Sequence, residues 1–512
     1  MKILLVGAAA ALALCCAACS STTAATTAAN SSGSKGSAGT LTIVVAGNGG
    51  LDYDPQLNAL PSATGYMSPV FDTLLNENTQ GLISPGLATA WKFSGNGLTL
   101  TLTLRPGVKF QDGTPLNAAA VKANILRGQT DKESVIANQL TSVSSVDAVN
   151  PTTVVLHLKS PGGALLGYFS GSAGMMASPA SWANKNDETH PVGAGPWEVS
   201  SASVPGSDMI YTAYKGYWNP AVQKVSAIHI VVSAESTFVP SMTSGSANTA
   251  LLTGAATDGK TLGDDGFPVK SSNVTFLQIM YFNKTGIFAS PLVRQAVSLA
   301  INRQELCTAL FAGSSACTPT GQPVAPSSWA YDHSLAAPTQ NIAEARTLLK
   351  QAGHLNGISF TATVASTYGE GETQLTAIQS MLAQAGIHMT IRALPIPQLF
   401  PALDSGNVQA YYGPDTGGAD PAIPLETDLS SAYDPGNYSV PQLTQLLSQA
   451  NAVTNPAARP AAYQKVSAEY QTSAFNVVTL NQNLQFATAK NVNGVTVHDP
   501  LVVEARGATV SS

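Results

Sequence analysis

Residues 375–391 contain two hydrophobic periods in direct succession, and this feature strongly constrains the fold. In the first half, apolar residues recur at helical spacing: Leu375, Ile378, Leu382 and Ala385. After Gly386, apolar residues alternate with polar neighbours: Ile387, Met389 and Ile391. A helix followed at once by a strand is the building unit of an α/β domain.

The helical period recurs through the second half of the chain. It predicts further helices over residues 291–306, 341–352, 441–450 and 456–470. Asn341 and Glu344 have the spacing of a capping box, and Gly353 supplies a left-handed stop. The second half is therefore predicted to alternate helices with strands.

The first half is richer in strand patterns. Four leucines between positions 98 and 104 alternate with threonines, and residues 154–158 alternate in the same way. These two runs are predicted to pair. Further strands are expected at residues 41–46, 209–213 and 225–232.

The length of the chain excludes a single core. Cores stop growing at roughly 250 to 300 residues, and this chain has 512. Hydrophobic residues make up 44% and charged residues 11%, so large cores with a mostly uncharged polar surface are expected. Two or three separately packed units are therefore expected.

The charge of the chain excludes one functional class. The formal net charge is −6, and no basic stripe occurs along the sequence. Since phosphate attraction dominates nucleic-acid affinity, no nucleic-acid partner is expected.

The N-terminus has the pattern of an export signal. Lys2 precedes an apolar run over residues 3–14, and two alanines precede Cys19. This resembles a bacterial lipoprotein box, which predicts a signal peptide over residues 1–18 and a lipid on Cys19. Cys16 stands where that motif usually has Leu, so an ordinary secretory signal is the alternative.

A polar segment follows the cysteine. Residues 20–39 contain only Ser, Thr, Ala, Asn, Gly and one Lys. Such a composition has too little apolar surface to offset the entropy cost of ordering the chain. Residues 19–39 are therefore predicted to be a flexible tether that holds the exported body off the membrane.

Cys307 and Cys317 are the thiols that remain beyond the signal region. In an oxidising compartment such a pair predicts a disulfide. The alternative is two buried free thiols, because proximity in sequence does not fix the Cα separation.

Motifs of catalysis and metal binding are absent from the sequence. It has no G-x-S-x-G, no H-E-x-x-H, no P-loop and no G-x-G-x-x-G after a strand. The seven histidines show no i, i+2 or i+4 pairing, so neither a metal site nor a cofactor is expected.

Five segments carry a family resemblance. The longest is SPGLATAWKFSGNGLTLTLTLRPGVKFQDGTPLNAAAVKANIL, and the others are VGAGPWEV, YKGYWN, SPLVRQAVSLAINRQEL and AEARTLLKQAG. They occupy residues 84–126, 192–199, 214–219, 290–306 and 343–353. In this order they resemble the family-5 extracytoplasmic solute-binding proteins of ABC transporters, the oligopeptide, dipeptide and nickel receptor family.

The resemblance implies an α/β fold of the two-lobe periplasmic-binding-protein type (type II), with an extra inserted domain and mixed sheets flanked by helices. Lobe I is expected from residues 40–58, 190–277 and 485–512. The extra domain is expected over 59–189 and lobe II over 278–484. Hinge strands are expected near 278–283 and 480–486.

The resemblance also implies a function: a monomeric, lipid-anchored receptor that captures a small, peptide-like solute between its lobes. It would deliver that solute to the permease of an ABC importer, without bond chemistry. An exported hydrolase and a structural surface lipoprotein are the alternative classes.

Relatives commonly carry a Trp-containing segment ending in Asp-x-x-Asp-Pro, where an aspartate can meet a peptide's amino group. Here that stretch corresponds to YYGPDTGGADPAIP at residues 411–424, without Trp and with a shifted aspartate spacing. Asp415 or Asp420 is therefore a candidate ammonium partner. The alternative is that each starts a turn.

Four further residues complete the predicted cleft. Tyr411 and Tyr412 are candidate aromatic walls, although only one can face the cleft in a strand, and both fit a strand core. Asn48 and Asn481 are candidate polar contacts. Asn48 fits a turn equally well, and Asn481 fits a role in satisfying buried backbone.

Overall fold

The structure is a computed structural model of the chain. The residues it describes are 39–46, 53–58, 61–78, 81–182, 189–253, 256–272, 274–311, 316–418, 420–429, 440–499 and 501–511. Throughout these ranges, no helix has both the length and the apolar character needed to cross a membrane.

The strands follow in chain order. They are β1 (Thr40–Val45), β2 (Leu75–Glu77), β3 (Ile83–Pro85), β4 (Ala88–Ser94), β5 (Thr99–Leu104), β6 (Val143–Asn150), β7 (Thr153–Leu158), β8 (Trp197–Val199), β9 (Asp208–Ala213), β10 (Ala227–Val232), β11 (Thr249–Leu252), β12 (Val269–Ser271), β13 (Leu277–Phe282), β14 (Cys317–Thr318), β15 (Ile358–Ala365), β16 (Ile387–Leu394), β17 (Ala410–Asp415), β18 (Val477–Gln482), β19 (Gln485–Thr488), β20 (Val492–Asn493), β21 (Thr496–His498), β22 (Val502–Glu504) and β23 (Thr509–Val510).

The α-helices are α1 (Pro61–Met67), α2 (Ala118–Thr130), α3 (Leu165–Tyr168), α4 (Phe238–Ser244), α5 (Ala256–Asp264), α6 (Pro291–Ala300), α7 (Arg303–Phe311), α8 (Ile342–Gln351), α9 (Gly369–Ala383), α10 (Ile396–Asp404), α11 (Ala422–Asp428), α12 (Pro441–Asn451) and α13 (Arg459–Thr472).

The three larger sheets lie within the predicted lobe I, extra domain and lobe II, and they are named after these predicted parts. The lobe I sheet has seven strands in the order β12-β19-β11-β1-β10-β9-β8. β1 lies inside it and pairs in parallel with both β10 and β11. Both faces of β1 are covered: Leu41 and Ile43 pack in one hydrophobic cluster, and Val44 packs in another with Phe238 of α4. Burial on both faces explains the run of three consecutive apolar residues that ends β1.

The extra domain is built on an antiparallel sheet of four strands, β4-β5-β7-β6. β5 pairs with β7 in the register Leu100↔Leu156 and Leu102↔Val154, which confirms the predicted pairing. α2 begins after Asn117, whose side chain accepts a hydrogen bond from the backbone N of Ala120 at 3.1 Å.

The lobe II sheet has six strands in the order β14-β18-β13-β17-β15-β16. β15 and β16 are parallel, and α9 connects them. Leu375, Ile378 and Leu382 of α9 are buried against this sheet. The predicted helix-to-strand unit is confirmed.

Two predicted helices have different bounds in the structure. The single helix expected over residues 291–306 is divided into α6 and α7, because Ile301 has an extended backbone (φ −90°, ψ 124°). Asn302 then caps α7 by accepting from the backbone N of Glu305 at 3.0 Å. The helix expected from residue 456 begins at Arg459.

The chain crosses between the lobe I and lobe II sheets twice. The first crossing connects β12 with β13 and lies just before the predicted 278–283. The second connects β18 with β19 and lies within the predicted 480–486. Ser272 donates its backbone N and its hydroxyl to the carbonyl oxygen of Leu484, at 2.8 Å and 3.0 Å. The two crossings are therefore held side by side.

The extra domain also contacts lobe II directly. The backbone N of Ala164 donates to the carbonyl oxygen of Asn451 at 3.0 Å. A Cβ placed on Gly163 would lie 2.0 Å from the carbonyl oxygen of Val453, so this approach requires glycine. Lobe II thus touches both other parts of the chain.

Cys307 of α7 and Cys317 of β14 are joined by a disulfide, with their Cα atoms 5.5 Å apart. This separation is within the usual range for the bond. The disulfide attaches α7 to the edge strand of the lobe II sheet.

Candidate ligand site

Carboxyl groups from the three parts of the fold act on one another's charge. Glu77 ends β2 in the extra domain, Asp415 ends β17 in lobe II, and Asp499 follows β21 beside the lobe I core. In addition to burial, Asp499 raises the pKa of Glu77, and Asp415 raises the pKa of Asp499, because like charges disfavour ionisation. We call these three residues the acidic junction.

Asp415 has the most deeply buried carboxyl group of the acidic junction. It is 7% exposed and pairs in register with Leu277, the first residue after the first crossing. Its Oδ1 accepts from the backbone N of Gly417 at 2.8 Å, whereas its Oδ2 has no hydrogen-bond partner among the described residues. Burial raises the pKa of Asp415 to about 6. A buried acceptor without a donor is costly unless something supplies the donor.

Asp428, the last residue of α11, is fully buried and interacts electrostatically with Asp415. Its Oδ2 accepts from the hydroxyl of Tyr470 at 2.8 Å. Burial, and then the nearby charge of Asp415, raise the pKa of Asp428 well above its ordinary value. Burial and the charge of Asp415 therefore both favour the protonated form of Asp428.

Glu77 and Asp499 are half-buried. The hydroxyl of Ser170 donates to Oε1 of Glu77 at 2.7 Å, and burial raises the pKa of Glu77 to about 8. Thr275, in the first crossing, donates its backbone N and hydroxyl to Asp499 at 2.7 Å and 3.1 Å. Burial also raises the pKa of Asp499 to about 7. The junction is thereby attached to the segment that links the lobes.

Two arginines near the acidic junction are already in ion pairs. Arg459 binds Asp420, and Arg506 binds Glu504 at 2.9 Å and Asp72 at 2.8 Å. The imidazole of His498 lies 3.6 Å from Glu504. Both guanidinium groups therefore already compensate carboxylates outside the acidic junction.

The predicted cleft residues fall into distinct environments. Tyr412 is fully buried in the lobe II core, and its hydroxyl donates to Oε1 of Gln374 at 2.7 Å. Tyr411 is on the opposite face of β17 and stacks on Tyr281 with ring centroids 5.7 Å apart. Asn48 lies outside the described residues.

Asn481 lies in β18 beside the crossings. Its Oδ1 accepts from the backbone N of Phe276 at 3.3 Å, and its Nδ2 donates to Oδ1 of Asn483 at 2.8 Å. The first of these contacts satisfies a buried backbone group, which is the alternative role considered for Asn481. Asp420 is likewise engaged, with Arg459.

Sequence reasoning missed Glu77, Asp428 and Asp499. Glu77 and Asp499 are more than four hundred positions apart and belong to no shared motif. Asp428 carries no local signal either, beyond its place at the end of an apolar helix.

Comparison with known proteins decides the family. The model for bacterial extracellular solute-binding proteins, family 5, matches residues 83–436. The chain belongs to this family. Glutathione-binding protein GsiB of Escherichia coli O1:K1 is 30% identical over 446 residues, which are 80% of this chain and 82% of GsiB.

Solved family-5 structures show the same fold. The periplasmic binding protein DppA of Helicobacter pylori, in complex with the peptide STSA, superposes with a TM-score of 0.80 at 22% identity, covering 93% of this chain and 98% of DppA. NikA of Staphylococcus aureus, in complex with Ni(L-His)2, gives a TM-score of 0.78 at 16% identity and covers 92% of this chain and all of NikA.

These findings confirm the predicted family and the two-lobe α/β fold class. The family-5 chain is an extracytoplasmic solute-binding protein that works with an ABC importer. Its relatives are binding proteins rather than enzymes.

Proposed function

We propose that this receptor captures a peptide-like solute whose ammonium group is bound by Asp415, and that it passes this solute to the permease of its importer. The observation that carries the proposal is the buried Oδ2 of Asp415, which lacks a hydrogen-bond partner among the described residues. An ammonium group supplies the missing donor and a compensating charge.

Asp415 is preferred over Asp420 because of Arg459. That guanidinium already compensates the charge of Asp420, and a ligand would have to break a buried ion pair to reach it. No described cation bonds to Asp415, which ends β17 within the segment that corresponds to the ammonium-binding stretch of relatives.

Ligand binding is proposed to close the lobes, because the carboxyl groups of the acidic junction come from different parts of the fold. A solute that touches groups from lobe I, lobe II and the extra domain binds the closed arrangement more tightly than an open one, and so shifts the population towards closure. The crossings between β12 and β13 and between β18 and β19 are the proposed hinges. Thr275 in the first of them binds Asp499.

We also propose that the receptor is monomeric, carries its lipid on Cys19, and stands off the membrane on the tether of residues 19–39. The cysteine cluster after the apolar run supports the lipid, and the polar composition supports the tether. Binding and release, without bond chemistry, are the proposed action.

Isothermal titration with two matched peptides tests the ammonium proposal. Ala-Ala-Ala has a free amino group, whereas N-acetyl-Ala-Ala-Ala does not. We expect the free peptide to bind and the acetylated one to bind much more weakly. Asp415→Asn should remove that difference, whereas Glu198→Gln, at an exposed position, should retain it. Equal binding of both peptides to the unaltered protein would refute the role of Asp415.

A further inference from the structure

We propose that a cavity between the extra domain and lobe II is a second binding site, and that it takes a small hydroxylated organic amine whose ammonium group is bound by Glu426. The cavity has a volume of about 370 Å³, which is within the range of pockets that hold small molecules. Asp415 does not line it. The second site is therefore distinct from the proposed ammonium site and does not depend on it.

Two parts of the fold form the walls of the cavity. One face of α12 lines it with residues at the spacing of successive helical turns: Thr444, Leu447, Ser448 and Asn451. The other wall comes from the segments 138–142 and 160–168 of the extra domain. Beside the cavity, the backbone N of Ala164 donates to the carbonyl oxygen of Asn451 at 3.0 Å. A ligand that touches both walls would stabilise this contact between the extra domain and lobe II.

Glu426 of α11 gives the cavity its charge. Among the described residues that line the cavity, none is a lysine, an arginine or a histidine. The lining also presents hydroxyl groups, including those of Ser142, Ser160 and Ser448. Burial raises the pKa of Glu426 to about 6, so its ionised form predominates at pH 8. A carboxylate surrounded by neutral polar groups favours a ligand with one positive charge and several hydroxyls.

A chain of hydrogen bonds orients the carboxylate of Glu426. The Nδ2 of Asn451 donates to Oε1 of Glu426 at 2.5 Å. The hydroxyl of Tyr463 donates to Oδ1 of Asn451 at 2.7 Å, and Arg459 donates to that hydroxyl at 3.1 Å. The group that contacts Glu426 directly is a neutral amide, so it fixes the carboxylate without cancelling its charge. Glu426 is thereby prepared for a cation from outside the chain.

The hydroxyl of Tyr168 gives an independent indication of a ligand. Tyr168 ends α3 in the wall of the cavity and is 4% exposed. It interacts electrostatically with Glu426, yet its hydroxyl has no hydrogen-bond partner among the described residues. A buried hydroxyl without a partner is costly. An ammonium group beside Glu426 would donate both to the carboxylate and to the oxygen of Tyr168, and so would satisfy two acceptors at once.

Matched amines and alcohols test the site in the full-length protein. Titration calorimetry at pH 8, in phosphate buffer to avoid a competing amine, compares 1-amino-1-deoxysorbitol with sorbitol and 4-aminobutanol with 1,4-butanediol. In each pair an ammonium group replaces one hydroxyl. We expect at least one amine to bind about tenfold more tightly than its alcohol, the effect of one charge-assisted hydrogen bond. Equal binding within both pairs, or no binding of either amine, would overturn the proposal.

Variants assign the preference for the amine to residues of the cavity. Glu426→Gln retains an acceptor for Asn451 without the charge and should bring the amine-to-alcohol ratio of affinities close to one. Tyr168→Phe should also weaken the amine, whereas Glu198→Gln, at an exposed position, should leave it unchanged.

A second variant keeps the test decisive if Glu426→Gln does not fold. Ser448 is an exposed residue of the cavity lining, so Ser448→Lys adds a competing ammonium group without disturbing the core. It should abolish the preference for the amine. A preference that persists in folded Ser448→Lys and in folded Glu426→Gln would show that the amine does not bind in this cavity.

The same variants separate the cavity from the site at Asp415. Asp415→Asn should lose Ala-Ala-Ala and retain the amine, and Glu426→Gln should do the reverse. If Asp415→Asn loses the amine and Glu426→Gln retains it, the amine binds at Asp415 and the second site is wrong. If the amine depends on Glu426 while no peptide binds to the unaltered protein, the second site stands and the proposed role of Asp415 is wrong.

Discussion

The guanidinium of Arg459 donates to both carboxylate oxygens of Asp420, at 2.6 Å and 3.0 Å. The side chains of Arg459 and Asp420 are 6% and 1% exposed. This pair fixes the start of α13 against the loop before α11, and it already compensates the charge of Asp420. Asp415, five residues earlier, has a buried Oδ2 without a hydrogen-bond partner among the described residues.

Loss of one member of this pair should destabilise the protein strongly. Arg459→Met leaves the buried charge of Asp420 uncompensated, which costs about 3 to 5 kcal/mol. Urea unfolding should show this loss, and adding Asp420→Asn should restore much of it. Lys260→Met, which breaks the exposed pair with Asp264, is the matched control and should cost less than about 1 kcal/mol. Similar losses for both single variants would contradict this account.

The disulfide between Cys307 and Cys317 spans a sequence separation of 10 residues. Replacing both cysteines with serine should lower the free energy of unfolding by roughly 3 kcal/mol, the chain-entropy value for such a loop. Peptide mass mapping without reduction checks the bond itself. Two thiols open to alkylation in freshly exported, folded protein would show that it does not form.

Lipid attachment is predicted at Cys19. Labelling cells with a radioactive fatty acid should mark the natural protein, and Cys19→Ala should remain unlabelled and leave the membrane fraction. Cys15→Ala is the control and should be labelled normally. Label retained on Cys19→Ala would place the lipid elsewhere.

Stability without ligand should fall as the pH rises. The pKa values of Glu77 and Asp499 are raised to about 8 and about 7 in the fold. The folded state therefore binds more protons than the unfolded chain above about pH 4.5, and its stability decreases until pH exceeds the folded pKa. The thermal midpoint should be higher at pH 5 than at pH 8, and Glu77→Gln should reduce the difference. An unchanged difference in this variant would contradict the burial of an ionisable Glu77.

Local patterns made much of the fold predictable. The stripe that ends at Ala385 and the strand from Ile387 have their expected places, and the side chain of Asn341 caps α8 by accepting from the backbone N of Glu344 at 3.0 Å. Each of these three features depends on residues that are only a few positions apart in the sequence. The break at Ile301 was not predictable from the hydrophobic period alone. After the break, the side chain of Arg303 donates to the carbonyl oxygen of Val478 at 3.0 Å, a contact between residues far apart in sequence.

The candidate site was predictable only in part. Asp415 stood out through the resemblance of its segment, but nothing in the sequence separated it from Asp420, because the partner Arg459 is 39 positions away. Glu77 and Asp499 act on each other's charge only in the folded chain, because hundreds of positions separate them in sequence. Contacts of such separation leave no periodic trace in the sequence.

The most direct test of an ammonium-bearing solute at Asp415 is native mass spectrometry of the protein purified from its own cells. The natural protein should carry a small solute, and labelling of the released molecule should reveal a free amino group. Asp415→Asn should bind it with an affinity lower by about 2 kcal/mol or more, roughly 30-fold, and be recovered mostly empty. A solute without an amino group, or equal occupancy of the natural protein and Asp415→Asn, would contradict the assignment of Asp415.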